Sequence, residues 1–345
     1  MPGIDQQATV VVTGASGFIA KNIIAELLKR GFTVRGTVRS LDMADAIRQA
    51  IKRLGSDSAK LSFVVADLLS DAGWSAAVSG ATAVVHTASP FPLQQPDDPN
   101  DVIRPAVDGT LRVLKAATAA GVKRAVLTSS TVAIFYGADQ PKSHVYSEID
   151  FSDDTRADIT PYIRSKTCAE KAAWKFVRET PGAPQLVAIN PGFVQGAAMD
   201  GDLSTSHQLF VLMAKGTYPA APRIRFPVAH IKDVAVAHAE ALERPGANGQ
   251  RYLIGEGQLG LYDLGLIMAR ELPDLKSKVP KFELPDMVVR GLAVADKKMR
   301  TILPELGRAK AFTNAKARDE LGLNFHSADA AVQASVTSLR ALKLI

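Results

Sequence analysis

The stretch that most constrains this chain is Val10-Val11-Val12-Thr13-Gly14-Ala15-Ser16-Gly17-Phe18-Ile19-Ala20, where an apolar β-branched run meets two glycines and then a helical pattern. Three consecutive valines suit a strand buried on both faces. Gly14 lets the chain turn sharply, and Gly17 lets the backbone come close to a pyrophosphate. The following helix, apolar at Ile19, Ile23, Ile24, Leu27 and Leu28, offers the unpaired N–H groups of its first turn to negative charge. Glycines are common in ordinary β-turn-α connections. The position of this pair on the first strand is what raises nucleotide binding above that reading.

The first half of the chain repeats the theme. Apolar, β-branched runs at residues 8–13, 33–38, 61–66, 82–87, 123–129 and 185–190 alternate with segments of helical periodicity, such as Val102-Val107-Leu111-Leu114. Strands alternating with helices of this length predict βαβ units, hence a parallel, doubly wound sheet with helices on both faces. After Asn190-Pro191-Gly192 the alternation stops. A helical stretch over residues 206–214, a proline-containing segment over 218–227 and one more strand over 251–254 follow. Pro273, Pro280, Pro285 and Pro304 then punctuate what reads as short helices. The expectation is an α/β protein in two interleaved parts. Residues 1–191 with about 226–255 form the nucleotide-binding domain, and 192–225 with about 256–345 form a smaller, mostly helical, substrate-binding lobe over the sheet's carboxyl edge.

A length of 345 residues accommodates this. With 47% hydrophobic and 22% charged residues the composition is that of a globular protein. The net charge of +6 carries no run of Lys and Arg interleaved with aromatics, so nucleic acid is not an expected partner. No apolar run reaches the ~20 residues of a membrane span, and Met1 to Thr9 has no leader pattern, so the chain reads as cytoplasmic. A single cysteine, Cys168, excludes an internal disulfide and a cysteine-based zinc site. His230 and His238 lack ligand spacing and an accompanying carboxylate cluster, so no metal is expected. His86, on an apolar strand, reads as a hydrogen-bonded core residue rather than a catalyst.

The second strand decides the cofactor. An acid about 20 residues beyond the glycine turn suits a free ribose 2′-hydroxyl, whereas an arginine suits a 2′-phosphate. Here the strand runs Val34-Arg35-Gly36-Thr37-Val38-Arg39-Ser40, with Arg39 at its tip. NADP(H) is therefore expected over NAD(H), with Asp42 as the alternative ribose ligand.

Thr160-Pro161-Tyr162-Ile163-Arg164-Ser165-Lys166 opens a helix, with Thr160 a good N-cap and Pro161 suited to the first helical position. Tyr162 and Lys166 are four residues apart and share one face. A phenol is a poor acid-base group at neutral pH, and a neighbouring ammonium is expected to lower its pKa. Val126-Leu127-Thr128-Ser129-Ser130-Thr131 ends a buried strand in hydroxyls at the carboxyl edge, where ligands of open α/β sheets bind. Any of Ser129, Ser130 and Thr131 can also serve as a turn or helix cap.

Gly14-x-x-Gly17-x-x-Ala20, this hydroxyl trio and Tyr162-x-x-x-Lys166 together resemble the extended short-chain dehydrogenases/reductases, which are Rossmann-type enzymes. Val85-His86-Thr87-Ala88-Ser89-Pro90, the segment from Arg104 to Thr110, Lys171-Ala172-Ala173-Trp174-Lys175-Phe176 and the segment from Asn314 to Leu323 are similar to one subgroup. It contains dihydroflavonol reductases, cinnamoyl-CoA reductases and microbial aldehyde and methylglyoxal reductases. The resemblance implies NADPH-dependent reduction of a small-molecule aldehyde or ketone by a monomer or homodimer. Ser130 would orient the carbonyl, Tyr162 donate the proton, and Lys166 tune Tyr162 and bind ribose. The cofactor would lie along Thr13, Gly14, Ser16, Gly17, Phe18 and Ile19, with Arg39 on the 2′-phosphate, Asp67 and Leu68 by the adenine, and Thr87, Ala88 and Ser89 alongside. Pro191, Gly192 and Val194 would flank the nicotinamide. Phe91, Phe135, Phe193 and Met213 are candidate walls of an apolar substrate pocket, or core residues. Specificity is expected in residues 91–100, 135–158 and 196–225. The chain departs from the pattern in Ala20, which replaces a third glycine, and in Asp108, where many relatives have Asn. A nucleotide-sugar epimerase or dehydratase is the rival enzyme. A non-catalytic NADP(H) sensor is the rival outside enzymes, and the presence of Tyr162 and Lys166 weighs against it.

Overall fold

The computed structural model describes residues 3–89, 98–137, 140–141, 143–295, 302–307 and 309–345. Phe91 lies outside them. In chain order the first part comprises β1 (Thr9–Thr13), α1 (Phe18–Lys29), β2 (Thr33–Val38), α2 (Ala44–Arg53), β3 (Leu61–Val65), α3 (Trp74–Val78), β4 (Ala83–His86), α4 (Asn100–Ala119), β5 (Arg124–Thr128), α5 (Pro161–Glu179) and β6 (Gln185–Pro191). The remainder comprises β7 (Phe193–Gln195), α6 (Thr205–Ala214), β8 (Ala221–Pro222), β9 (Arg225–His230), α7 (Ile231–Glu243), β10 (Arg251–Ile254), β11 (Gln258–Gly260), α8 (Leu261–Glu271), β12 (Glu283–Leu284), α9 (Asp286–Ala295), α10 (Ala315–Leu321) and α11 (Ala328–Ala341).

Seven strands form one parallel sheet in the order β10-β6-β5-β4-β1-β2-β3. The order reverses between β1 and β4, which leaves a crevice at their carboxyl ends. In open α/β sheets ligands bind at such a switch point. Val10, Val11 and Val12 are fully buried, as a strand covered on both faces requires. Their side chains alternate between two cores. Val10 and Val12 pack with Ile23, Ile24 and Leu27 of α1, while Val11 packs with Trp74, Val84 and Val113 on the other face.

The alternation expected from the sequence is present, with strand ends displaced by a residue or so. What the sequence hides lies after β6. The lobe is mostly helical, with α6, α8, α9 and α11, but the chain also builds a second sheet there from β7, β9 and β11, with β7 parallel and β11 antiparallel to β9. Two of these strands are three residues long, too short to show a period. The segment after residue 256 is also divided between the two parts. Phe210, Met213, Leu264, Met268, Val332 and Val336 form a core of their own, whereas Ala317, Leu321 and Leu323 return to the core of the large sheet. The amphipathic pattern shows that α10 is buried on one side, but not against which sheet.

Candidate active site

A cavity of about 1070 Å³ opens along the carboxyl edge of the large sheet, from the start of α1 to the second lobe. At its first end lies the β1–α1 turn. Gly14 has φ +65°, and a Cβ there would sit 3.0 Å from the Ala88 Cβ, so both the backbone conformation and the close approach require glycine. No side chain caps α1, whose N-cap is Gly17. The first-turn N–H groups therefore face the cavity without a competing acceptor, as an anionic ligand needs. Ser16, Gly17, Phe18 and Ile19 line this end, and so does Arg39, an exposed guanidinium with no ion pair among the described residues. Asp67 and Leu68 form the neighbouring wall; Asp67 accepts from the Leu69 N–H at 2.9 Å. Uncapped helix, glycine cradle and free arginine together fit a phosphorylated dinucleotide.

Thr87, Ala88 and Ser89 line the next part. Their path is set by a buried relay that sequence reading did not foresee. Thr13 is fully buried and does not line the cavity, which corrects its expected place beside a cofactor. Its hydroxyl oxygen accepts from the N–H groups of Thr87 (3.1 Å) and Ala88 (3.0 Å) and meets His86 Nδ1 at 2.8 Å. His86 Nε2 lies 3.3 Å from the Thr110 hydroxyl, which itself donates to the Ala106 carbonyl at 2.8 Å. Since the Thr110 proton is already used, Nε2 must carry the ring proton and Nδ1 must accept from Thr13. Burial, then the nearby Lys166, lowers the His86 pKa to about 3, so the ring is neutral. His86 is thus the hydrogen-bonded core residue that its apolar strand suggests.

The middle of the cavity holds Ser130, Tyr162 and Lys166. Thr160 caps α5 by accepting from the Ile163 N–H at 3.3 Å, with Pro161 at the first helical position. The hydroxyl trio now separates by role. Ser129 donates to Glu170 Oε2 at 2.5 Å, a side chain outside the cavity lining, whereas Ser130 donates to the Pro191 carbonyl at 3.4 Å and acts on the Tyr162 phenol. Lys166 Nζ donates to the Thr128 carbonyl at 3.3 Å, and the Thr128 hydroxyl lies 2.7 Å from His238 Nε2. Burial raises the Tyr162 pKa against the opposing effect of the Ser130 hydrogen bond. The expected lowering by Lys166 is therefore not what governs this phenol. Burial in turn brings the Lys166 amine down to about 8, with the Glu170 carboxylate acting in the opposite sense. At neutral pH the pair is a protonated phenol beside an ammonium.

At the far end Pro191, Gly192 and Val194 line the cavity with Phe135, Phe193, Phe226 and Pro227. A Cβ on Gly192 would lie 2.3 Å from the Pro227 carbonyl oxygen, so glycine is what lets β6 pass into β7 beside β9. Met213 is fully buried in the core of the second lobe and does not reach the cavity, because α6 turns that face inward. Residues not foreseen also appear here. Tyr136 lies beneath Lys310 Nζ, 3.8 Å from the ring centroid, and Lys310 pairs with Glu305 at 2.6 Å. Nothing in the local pattern of residues 305–310 signals this, because the loop is brought over the sheet only by the fold.

His230 comes together not with His238 but with Asp233 and His326. His230 Nδ1 accepts from the Lys232 N–H at 3.0 Å, its ring stacks on His326, and His326 reaches Asp233 at 2.5 Å. With Nδ1 so occupied, neutral His230 carries its proton on Nε2, and the group reads as a hydrogen-bonded junction.

Residues 10–255 match the model of the NAD dependent epimerase/dehydratase family. The chain is 33% identical over 341 residues to a cinnamoyl-CoA reductase of Medicago truncatula, covering 97% of this chain and 96% of that protein. It is 30% identical over 300 residues to a putative NADPH-dependent methylglyoxal reductase of Candida albicans, covering 81% and 87%. The crystal structure of the yeast methylglyoxal/isovaleraldehyde reductase complexed with NADPH superposes with a TM-score of 0.79 at 27% identity, covering 98% and 100%.

Proposed function

The chain belongs to the NAD dependent epimerase/dehydratase family, among the extended short-chain dehydrogenases/reductases, and from that premise we propose that it reduces an aldehyde or ketone to an alcohol with NADPH. The observation that carries the reading is the meeting of Ser130, Tyr162 and, one helical turn from Tyr162, Lys166 inside the cavity that begins at the uncapped N-terminus of α1. Similarity to proteins named as NADPH-dependent or NADPH-bound reductases supports the direction and the cofactor. The site residues fit that cofactor: Gly14, Ser16, Gly17, Phe18 and Ile19 for the diphosphate, Arg39 for the 2′-phosphate, and Asp67 and Leu68 for the adenine. Thr87, Ala88 and Ser89 would lie alongside, Lys166 would meet the ribose, and Pro191, Gly192 and Val194 would flank the nicotinamide. Residues 1–191 with about 226–255 would supply the cofactor side, and 192–225 with parts of 256–345 the substrate side.

When bound, the nicotinamide supplies a hydride to the carbonyl carbon. The chain's own residues manage the oxygen. Ser130 and Tyr162 converge on one point, so both hydroxyls can donate to a carbonyl oxygen placed there, which polarises it and fixes its orientation. As the carbon–oxygen π pair moves onto oxygen, the Tyr162 proton transfers to it, and the alcohol leaves. The burial that raises the Tyr162 pKa keeps the phenol protonated and ready to give. The phenolate left behind is stabilised by the Lys166 ammonium until solvent returns the proton. Phe135, Phe193 and Phe226 supply an apolar wall that keeps water from the reacting carbon.

The test is the initial rate of absorbance loss at 340 nm with NADPH, then NADH, against aromatic and aliphatic aldehydes, α-keto compounds and ketones. NADPH-linked turnover should fall about 10²- to 10⁴-fold in Tyr162→Phe, with NADPH still bound. An absence of turnover with every carbonyl compound overturns the proposal.

A further inference from the structure

Glu170 stands on α5 one turn beyond Lys166, and its side chain is completely buried. Its two oxygens take five donor contacts. Oε1 receives Arg251 Nε at 2.6 Å and Trp174 Nε1 at 3.1 Å; Oε2 receives the Ser129 hydroxyl at 2.5 Å, Asn190 Nδ2 at 2.8 Å and Arg251 Nη2 at 3.4 Å. Arg251 also donates to the carbonyls of Glu148, Asp150 and Ala133 and lies over the Phe151 ring. Strands β5, β6 and β10 are thereby tied to the helix that carries Tyr162 and Lys166.

A buried ion pair is a poor way to gain stability, because desolvation offsets most of its attraction and an apolar pair of similar size does as well. The geometry points to another use. The backbone at Ser130 is extended (φ −163°, ψ 157°), so neighbouring side chains along it leave on opposite sides. With the Ser129 hydroxyl turned to Glu170, which is outside the cavity lining, the Ser130 hydroxyl is the one left to face Tyr162. Asn190 adds a second restraint, since its Nδ2 donates both to Glu170 and, at 3.1 Å, to the Ser130 carbonyl.

We propose that Glu170 is a positioning residue of this site: without touching substrate, it aims Ser130 at Tyr162 through Ser129 and Asn190 and holds Lys166 as an ammonium across one helical turn. This rests on the reductase reading for the roles of Ser130, Tyr162 and Lys166. The groups that face the Lys166 ammonium are Tyr162 and Glu170 on α5, neutral His86 on β4 and the Thr128 carbonyl on β5, which His238 of α7 backs through the Thr128 hydroxyl. Glu170 is the one anion among them, and it is paired with Arg251. It is also the influence that opposes the burial of Lys166.

The experiment follows NADPH binding by fluorescence and kcat/KM for NADPH from pH 6 to 10 in the full chain, in Glu170→Gln, Glu170→Asp and Ser129→Ala. In the parent both quantities should fall as pH rises through about 8. Glu170→Gln should move that limb about one pH unit to the acid side, as loss of a partly compensated charge roughly 6 Å away requires. Glu170→Asp retains the charge and should keep the limb while lowering kcat. Ser129→Ala should lower kcat about tenfold with the limb in place. A limb unmoved in Glu170→Gln, or full kcat in Ser129→Ala, overturns the proposal, and the second variant decides if the first does not fold. If the parent binds NADPH but reduces no carbonyl compound, the reductase reading fails, and the limb of the binding curve still decides whether Glu170 acts on Lys166.

Discussion

Replacing Thr13 by valine keeps the shape of a fully buried side chain and removes one hydroxyl. That hydroxyl donates to His86 Nδ1 and accepts from the Thr87 and Ala88 N–H groups. The His86 nitrogen has no substitute: the ring is buried, its other nitrogen is committed to Thr110, and with a pKa of about 3 it does not escape by taking a proton. An orphaned buried acceptor costs about 1–3 kcal/mol. The two amides are only partly buried, so cavity water replaces most of what they lose, and together they add about 1–2 kcal/mol. The total is about 2–5 kcal/mol. With an unfolding entropy of about 2.1 cal/mol/K per residue, or about 0.7 kcal/mol/K for 345 residues, this corresponds to a fall in Tm of about 3–7 °C. Thr13→Ser retains the hydroxyl and should cost only the buried methyl, about 1 kcal/mol and 1–2 °C. Differential scanning fluorimetry on both variants, with and without NADPH, measures this. Since Ala88 and Ser89 line the cavity, NADPH should also protect Thr13→Val less than the parent. Equal losses of Tm in the serine and valine variants would refute the relay, because the hydroxyl would then carry no special weight.

Arg39→Ala should weaken NADPH binding about 10- to 100-fold, the worth of a hydrogen bond between charged groups, and leave NADH nearly unchanged; equal effects on both cofactors in a fluorescence titration would remove Arg39 from the 2′-phosphate. Gly192→Ala forces a Cβ against the Pro227 carbonyl oxygen, where backbone lies on both sides. It should lower Tm by about 3–4 °C, from roughly 2–3 kcal/mol of overpacking, and an unchanged melting curve would show that β7 and β9 separate freely.

Much of the site is legible along the chain because its parts are local. The β1–α1 turn, the Thr160 cap and the Tyr162–Lys166 spacing each depend on residues within one or two turns of each other, and the structure places them in one cavity. Glu170 carries a signal of the same kind, a carboxylate one turn from Lys166 on the buried side of an amphipathic helix, but that pattern does not show what the carboxylate meets. Met213 is open along the chain to either a pocket wall or the core, and falls in the core, for the converse reason. Apolar residues in a helix show that a face is buried, not whether the face meets a pocket or a core.

By itself, then, the sequence determined the class of sheet, the glycine turn between β1 and α1 and the pairing of Tyr162 with Lys166, since hydrophobic period, glycine conformation and helical spacing are short-range properties. Only the tertiary structure decided which of three adjacent hydroxyls faces Tyr162, that Thr13 supports the site from behind, and that Arg251, 81 residues from Glu170, pairs with it. These outcomes depend on desolvation and on donors from distant strands. Burial alone reverses the expected shift of Tyr162, and no local pattern records how much water a side chain will lose.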